Sequence, residues 1–188
     1  MTFQRAEERG FTLVEAVMVI AILGILMSIA APMLAAGRWR AEAGVHEVMS
    51  ALGAAQRLAL LRQHDVVVTF DLGRRALEVH RDANNDGTVD AGEDVRLVEL
   101  PEAVGFAFAP APPLAGDSAG VTFRVEGGAP RLVFHRNGSA SEAGRVYVRP
   151  IQGSLSSEAA GAHVVTVERS TGMLQCFAWM GASWRESC

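Results

Sequence analysis

From Phe11 to Ala36 the chain reads FTLVEAVMVIAILGILMSIAAPMLAA, an apolar run broken by a single charge, Glu15. No other feature restricts the possible folds as strongly. A helix needs about 20 mostly apolar residues to cross a bilayer, and this run is long enough. Met1–Gly10 ahead of it is polar, with Arg5 and Arg9 set against Glu7 and Glu8. A secretory signal peptide has a shorter apolar region of about 7–15 residues, although Ser28-Ile29-Ala30 could serve as its cleavage site. A plain membrane anchor has the right length but leaves Glu15 unexplained, because a carboxylate in lipid costs several kcal/mol unless it is paired. Gly24 and Pro32 inside the run suit a membrane helix, where both are more frequent than in water, and Pro32 predicts a kink or a loosened turn.

The third reading accounts for the carboxylate. Arg9-Gly10-Phe11-Thr12-Leu13-Val14-Glu15 resembles the prepilin peptidase site of type IV pilins and type II secretion pseudopilins. The resemblance implies cleavage between Gly10 and Phe11 on the cytoplasmic side and N-methylation of the new terminus, Phe11. Glu15 is then the fifth residue of the mature chain, where the family keeps a glutamate that pairs with the α-amino group of a neighbouring subunit. Arg38 and Arg40 follow the run just as Arg5 and Arg9 precede it, so the positive-inside rule does not orient it. The resemblance does: a single pass through the bacterial inner membrane, amino end cytoplasmic, carboxyl domain periplasmic, and later a place in a pilus or pseudopilus. It also implies the partners: other pilins or pseudopilins, the prepilin peptidase and the inner-membrane assembly platform.

Beyond the run, Val45, Val48, Met49, Leu52, Ala55 and Ala59 recur at steps of three and four, the apolar face of an amphipathic helix that ends near Gln63. Gly44 and Gly53 weaken it slightly. After His64 the period becomes two. Val66–Phe70, Ala76–His80, Val95–Leu100, Val104–Phe108, Val121–Val125, Arg131–His135, Val146–Arg149, His163–Glu168 and Met173–Ala178 read as strands separated by turn residues. About 125 residues are available for this part, enough to bury a core. The expected division is a leader at 1–10, a transmembrane half-helix at 11–36, an amphipathic half at 37–63 and an antiparallel β domain at 64–188. This is an α+β, pilin-like fold with a long N-terminal helix packed on antiparallel sheet.

A long helix followed only by strands resembles the minor pilins and pseudopilins of the GspH/FimT group. Ser170-Thr171-Gly172-Met173-Leu174-Gln175-Cys176 and the final Cys188 look like that group's closing strand and terminal disulfide. These are the chain's two cysteines. Placed so close to the end, they suit a disulfide in an oxidising compartment or two free thiols in a reducing one, and the membrane run argues for export. Some FimT-type members bind DNA during uptake through arginines in a Gly-Arg-x-Arg stretch, which reads Gly172-Met173-Leu174-Gln175 here. Without those cations, and with a net charge of −4, nucleic acid is disfavoured. A DNA-binding uptake protein or adhesin on a pilus is the alternative function.

Asp82, Asn84, Asp86, Thr88, Asp90 and Glu93, with Gly87 at the sixth position, follow the twelve-residue calcium-loop pattern. Strands rather than helices flank it, so a polar hairpin tip is the competing expectation; no cofactor is required, and calcium is a possible ligand. Gly116-Asp117-Ser118-Ala119-Gly120 matches the nucleophile elbow of hydrolases but lacks the strand before and helix after that the elbow needs. The five histidines form no zinc-type pair at helical spacing. Trp179 and Trp184 either pack under the loop between the cysteines or face a neighbouring subunit, and Trp39 is placed as an interfacial anchor. No catalytic residue is expected.

Overall fold

The structure is a computed structural model that describes residues 12–84, 86–88, 90, 92–108, 111–151 and 161–187, without the side chains of 29–38. The chain forms two compact units, Met1–Ala36 and Gly37–Cys188. The fold is α+β, and among the described residues one long helix, α1 (Leu13–Arg62), is followed by ten strands.

From Leu13 to Ser28 α1 carries apolar side chains on every side, with Glu15 as the one charge. Leu13, Ile20 and Met27 are exposed along its length, as are Val14, Val17 and Ile25. A helix that is apolar all round has no solvated face and must be covered by lipid or protein. Among the described residues no helix is long and apolar enough to cross a membrane. The predicted span at 11–36 lies partly outside the described residues, since Phe11 is not among them, and α1 continues through Pro32.

In the second unit the amphipathic reading holds. Val45, Val48, Leu52, Ala55 and Ala59 are buried, and Met49 packs against the same core. Gly44 has a reason that helix propensity hides. A Cβ there would sit 2.9 Å from Val104 Cγ1, so glycine lets the helix lie close on the sheet. The helix stops at Arg62; Gln63 turns left-handed at φ 57° and donates its N–H to Ala59 O.

Two five-stranded antiparallel sheets follow. The first has the order β3-β2-β1-β6-β5, with β1 Asp65–Asp71, β2 Ala76–Asp82, β3 Val95–Glu99, β5 Val125–Glu126 and β6 Ala129–Phe134. The second has the order β10-β9-β8-β7-β4, with β4 Val104–Gly105, β7 Gly144–Pro150, β8 His163–Val167, β9 Leu174–Trp179 and β10 Trp184–Glu186. One core joins the inner faces of both to α1, with Phe70, Leu77, Leu132, Phe134, Val146 and Val165 among its members.

Two predicted strands do not form as expected. Val104–Phe108 pairs only at Val104 and Gly105, and Val121–Val125 only by a bridge from Val121 to Val146 and at the start of β5. The intervening aromatic side chains serve packing instead. Phe106 and Phe123 set their rings 5.9 Å and 5.5 Å from Phe70. β10 was not predicted.

Candidate functional site

Glu15 stands in the first turn of α1. Thr12 caps that turn: its Oγ1 accepts the Glu15 N–H at 3.3 Å and its carbonyl accepts the Ala16 N–H at 3.1 Å. Thr-x-x-Glu is the sequence of a capping box, and a carboxylate in the first turn also meets the positive end of the helix dipole. The Thr12-x-x-Glu15 spacing carries this signal in the sequence itself. The dipole contribution is about 0.3–1 kcal/mol, well below the several kcal/mol that a carboxylate costs in lipid. Among the described residues no ion pair involves Glu15. Local capping therefore places the carboxylate without neutralising it. Gly10 and Phe11, the expected cleavage and methylation sites, lie outside the described residues.

At the other end of α1 a single side chain ties the helix to two loops. Gln56 Nε2 donates to Gly138 O at 2.9 Å and to Thr171 O at 2.8 Å. Gly172, at φ 65°, closes the contact, because a Cβ there would meet Gly138 O at 2.3 Å and Gln56 Nε2 at 2.6 Å. The 168–172 turn is built on Glu168. Its carboxylate accepts N–H and O–H bonds from both Ser170 and Thr171, which hold it down at about 2, the Ser170 hydroxyl contributing most. Ser170-Thr171-Gly172 thus orders the turn against the helix.

Cys176 is buried in β9 and disulfide-bonded. Its expected partner, Cys188, lies outside the described residues, while Ser187 N donates to Cys176 O at 3.2 Å. Trp179 and Trp184 face each other across the β9–β10 pair at 5.5 Å. Trp184 also meets Tyr147 edge-on at 6.0 Å and donates to Pro112 O. Tyr147 is fully buried; its hydroxyl donates to Asp117 at 2.6 Å and accepts the Leu114 N–H. Burial, then the bond to Asp117, pushes that phenol up to about 12. Arg145 holds the other oxygen of Asp117 at 2.9 Å. The Gly116–Gly120 stretch is therefore a loop pinned to the second sheet by Asp117, with no helix after it.

The 82–93 loop joins the antiparallel strands β2 and β3, as a polar hairpin tip would, and at Gly87 it also meets β6, where Arg131 Nη2 donates to Gly87 O at 2.8 Å. Beneath it Val67, His80 and Asp82 are buried. Asp82 accepts the N–H groups of Asp86 and Gly87, and Asp86 those of Thr88. Glu93 accepts from Ala83 and Asp90 and meets His80 Nε2 at 2.6 Å. The Asp90 backbone bond and then His80 hold its carboxyl down at about 2. The Asn84 amide nitrogen lies between Asp86 and Asp90, at 2.9 Å and 2.8 Å. The expected calcium donors are thus drawn together, but their oxygens face the loop's own N–H groups. Among the described residues no three acidic, histidine or cysteine side chains are set to hold a metal.

Residues 5–31 match the prokaryotic N-terminal methylation motif, and residues 44–171 match the family described as Type II transport protein GspH. Two solved structures of the minor pseudopilin EpsH from the type 2 secretion system of Vibrio cholerae are similar to the chain. One is 20% identical with a TM-score of 0.48, covering 76% of this chain and 97% of EpsH. The other is 18% identical with a TM-score of 0.46, covering 73% and 97%. No curated protein matches the chain.

Proposed function

The chain belongs to the GspH family of type II transport proteins, and from that premise we propose that it is a minor pseudopilin, built in few copies into a secretion filament near its tip. The family is one of structural pseudopilins whose members assemble with other pilins, and the methylation motif marks a membrane-anchored pilin. In this proposal the prepilin peptidase cuts after Gly10, Phe11 is methylated, and the chain waits in the inner membrane with its β domain in the periplasm. The assembly platform then draws it into the filament. No catalysis is assigned to it, and DNA uptake is not favoured.

The observation that carries the reading is Glu15 on an all-apolar helix whose cap leaves its charge unbalanced. A buried charge is tolerated when paired, so the α-amino group of a neighbouring subunit's first residue supplies what the helix lacks. The carboxylate then sets the register at which the new subunit stops. Replacing Glu15 with Leu keeps the helix apolar and removes the pairing group. Incorporation into filaments should fall at least tenfold while membrane insertion persists; unchanged incorporation rejects the pin.

The terminal disulfide is proposed to join Cys176 to Cys188, supported by the bonded state of Cys176 in a chain with two cysteines. Calcium is proposed as an optional ligand at Asp82, Asn84, Asp86, Thr88, Asp90 and Glu93, supported by the spacing of the oxygen donors. The loop's own hydrogen bonds hold its shape without the ion. Calorimetry on the full chain should give binding heat that Glu93→Gln removes; no heat at millimolar calcium ends that part of the proposal.

A further inference from the structure

β3 is the outer strand of the first sheet, so among the described residues one side of its backbone has no neighbouring strand. Such an edge is a template for another strand unless it is blunted by bulges, proline or inward charge, and the inward charge here, Arg96, leaves it open to a segment that brings a carboxylate. Val95-Arg96-Leu97-Val98-Glu99 contains no proline, and Val95 and Leu97 stand exposed at 41% and 47%. Alongside runs a groove of about 210 Å³ between this edge and α1. Its floor is apolar, made by Ala51, Ala55, Val79 and Val98. The space suits one or two side chains of an extended segment and is too small for a helix, which is about 10 Å across.

The rim is cationic. Arg81 on β2 and Arg96 on β3 both line the groove, and the pairing of Val79 with Arg96 puts the two arginines diagonally across one face. Like charges on neighbouring positions of one sheet face repel. Among the described residues neither arginine joins an ion pair, and Arg81 Nε is buried without a hydrogen-bond partner. Asp94 lines the same groove, yet its backbone oxygen, not its carboxylate, is what meets β2, accepting the Arg81 N–H. A free strand edge, a small apolar slot and two unneutralised guanidinium groups occur within one patch. Each is complementary to a different part of a single ligand: main chain, apolar side chain and carboxylate.

The geometry points to the β3 edge as a docking site for an extended acidic segment of a neighbouring filament subunit, which adds a strand to β3 and seats a carboxylate between Arg81 and Arg96. This rests on the filament reading above. Strand addition supplies main-chain hydrogen bonds and the slot supplies selectivity, as in other cases where a peptide extends a sheet.

The test uses the full chain in cells that assemble its filament. A photo-crosslinking amino acid replaces Leu97 at the edge, and in a second strain Val17 in the apolar half of α1. Crosslinking from position 97 should yield an adduct with a filament subunit at an extended segment containing Asp or Glu. Arg81→Glu with Arg96→Glu should reduce that adduct at least tenfold, while Arg96→Lys keeps it. Disulfide formation in the variants reports that the domain has folded. Adducts from position 17 but none from position 97, or an adduct from 97 only with lipid or with proteins outside the filament, overturn the docking site and leave the filament reading standing. Adducts from neither position overturn both.

Discussion

Substituting Gly172 by Ala should loosen the attachment of α1 to the β domain. The residue adopts φ 65°, a left-handed conformation that costs an L-residue about 1 kcal/mol more than glycine. The new Cβ would lie 2.3 Å from Gly138 O, so the two loops must separate by about 1 Å to reach ordinary contact. That separation breaks the bonds from Gln56 to Gly138 O and Thr171 O, each contributing about 1 kcal/mol. The total is about 3 kcal/mol, or about 6–12 °C in Tm for a unit of this size. Gln56→Ala alone should cost about 2 kcal/mol, since it removes the same two bonds without the backbone strain. The double variant should therefore also cost about 3 kcal/mol rather than the sum of the two, giving a coupling of about 2 kcal/mol. Urea unfolding of the full chain in detergent, followed by tryptophan fluorescence, measures this, because Trp39, Trp179 and Trp184 all belong to the second unit. A loss below about 1 kcal/mol for Gly172→Ala, or full additivity, refutes the clamp.

Leu52→Ala, at a fully buried position between helix and sheets, should cost about 2–5 kcal/mol in the same assay; a cost under about 1 kcal/mol would mean that α1 does not form the core there. Glu168 is held at about 2 by hydrogen bonds to its ionised form, so its contribution to stability is present above about pH 4.5 and lost as pH falls towards 2. Glu168→Gln should flatten the fall in stability across that window without abolishing it, because Glu93 titrates there too. An unchanged slope contradicts the ordered turn.

The second unit was largely legible because its periodicities are local. The three- and four-residue steps from Val45 to Ala59 give the buried face of α1, and seven of the strand positions follow from β-branched runs between turns. The apolar residues near Phe106 and Phe123 misled because ring packing on Phe70 and strand pairing both favour aromatics, and only the tertiary arrangement decides between them. β10 is short, and its Trp184-Arg185-Glu186 lacks alternation long enough to register. The contact of the 82–93 loop with β6 depends on Arg131, far along the chain, and the loop's bond to His80 on burial of that ring, which no local pattern announces. Gln56 gives no sequence signal, because its two acceptors are backbone carbonyls in distant loops. At the amino end the opposite holds: the Thr12-x-x-Glu15 cap is a local pattern, readable inside the apolar run.

Mass spectrometry of the amino-terminal peptide, taken from the chain isolated with its filament, tests the central claim most directly. The account predicts a mature protein that begins at N-methylated Phe11, with Glu15 as its fifth residue, recovered together with other pilin-like subunits. A mature protein that still begins at Met1, or one recovered apart from any filament subunit, contradicts it.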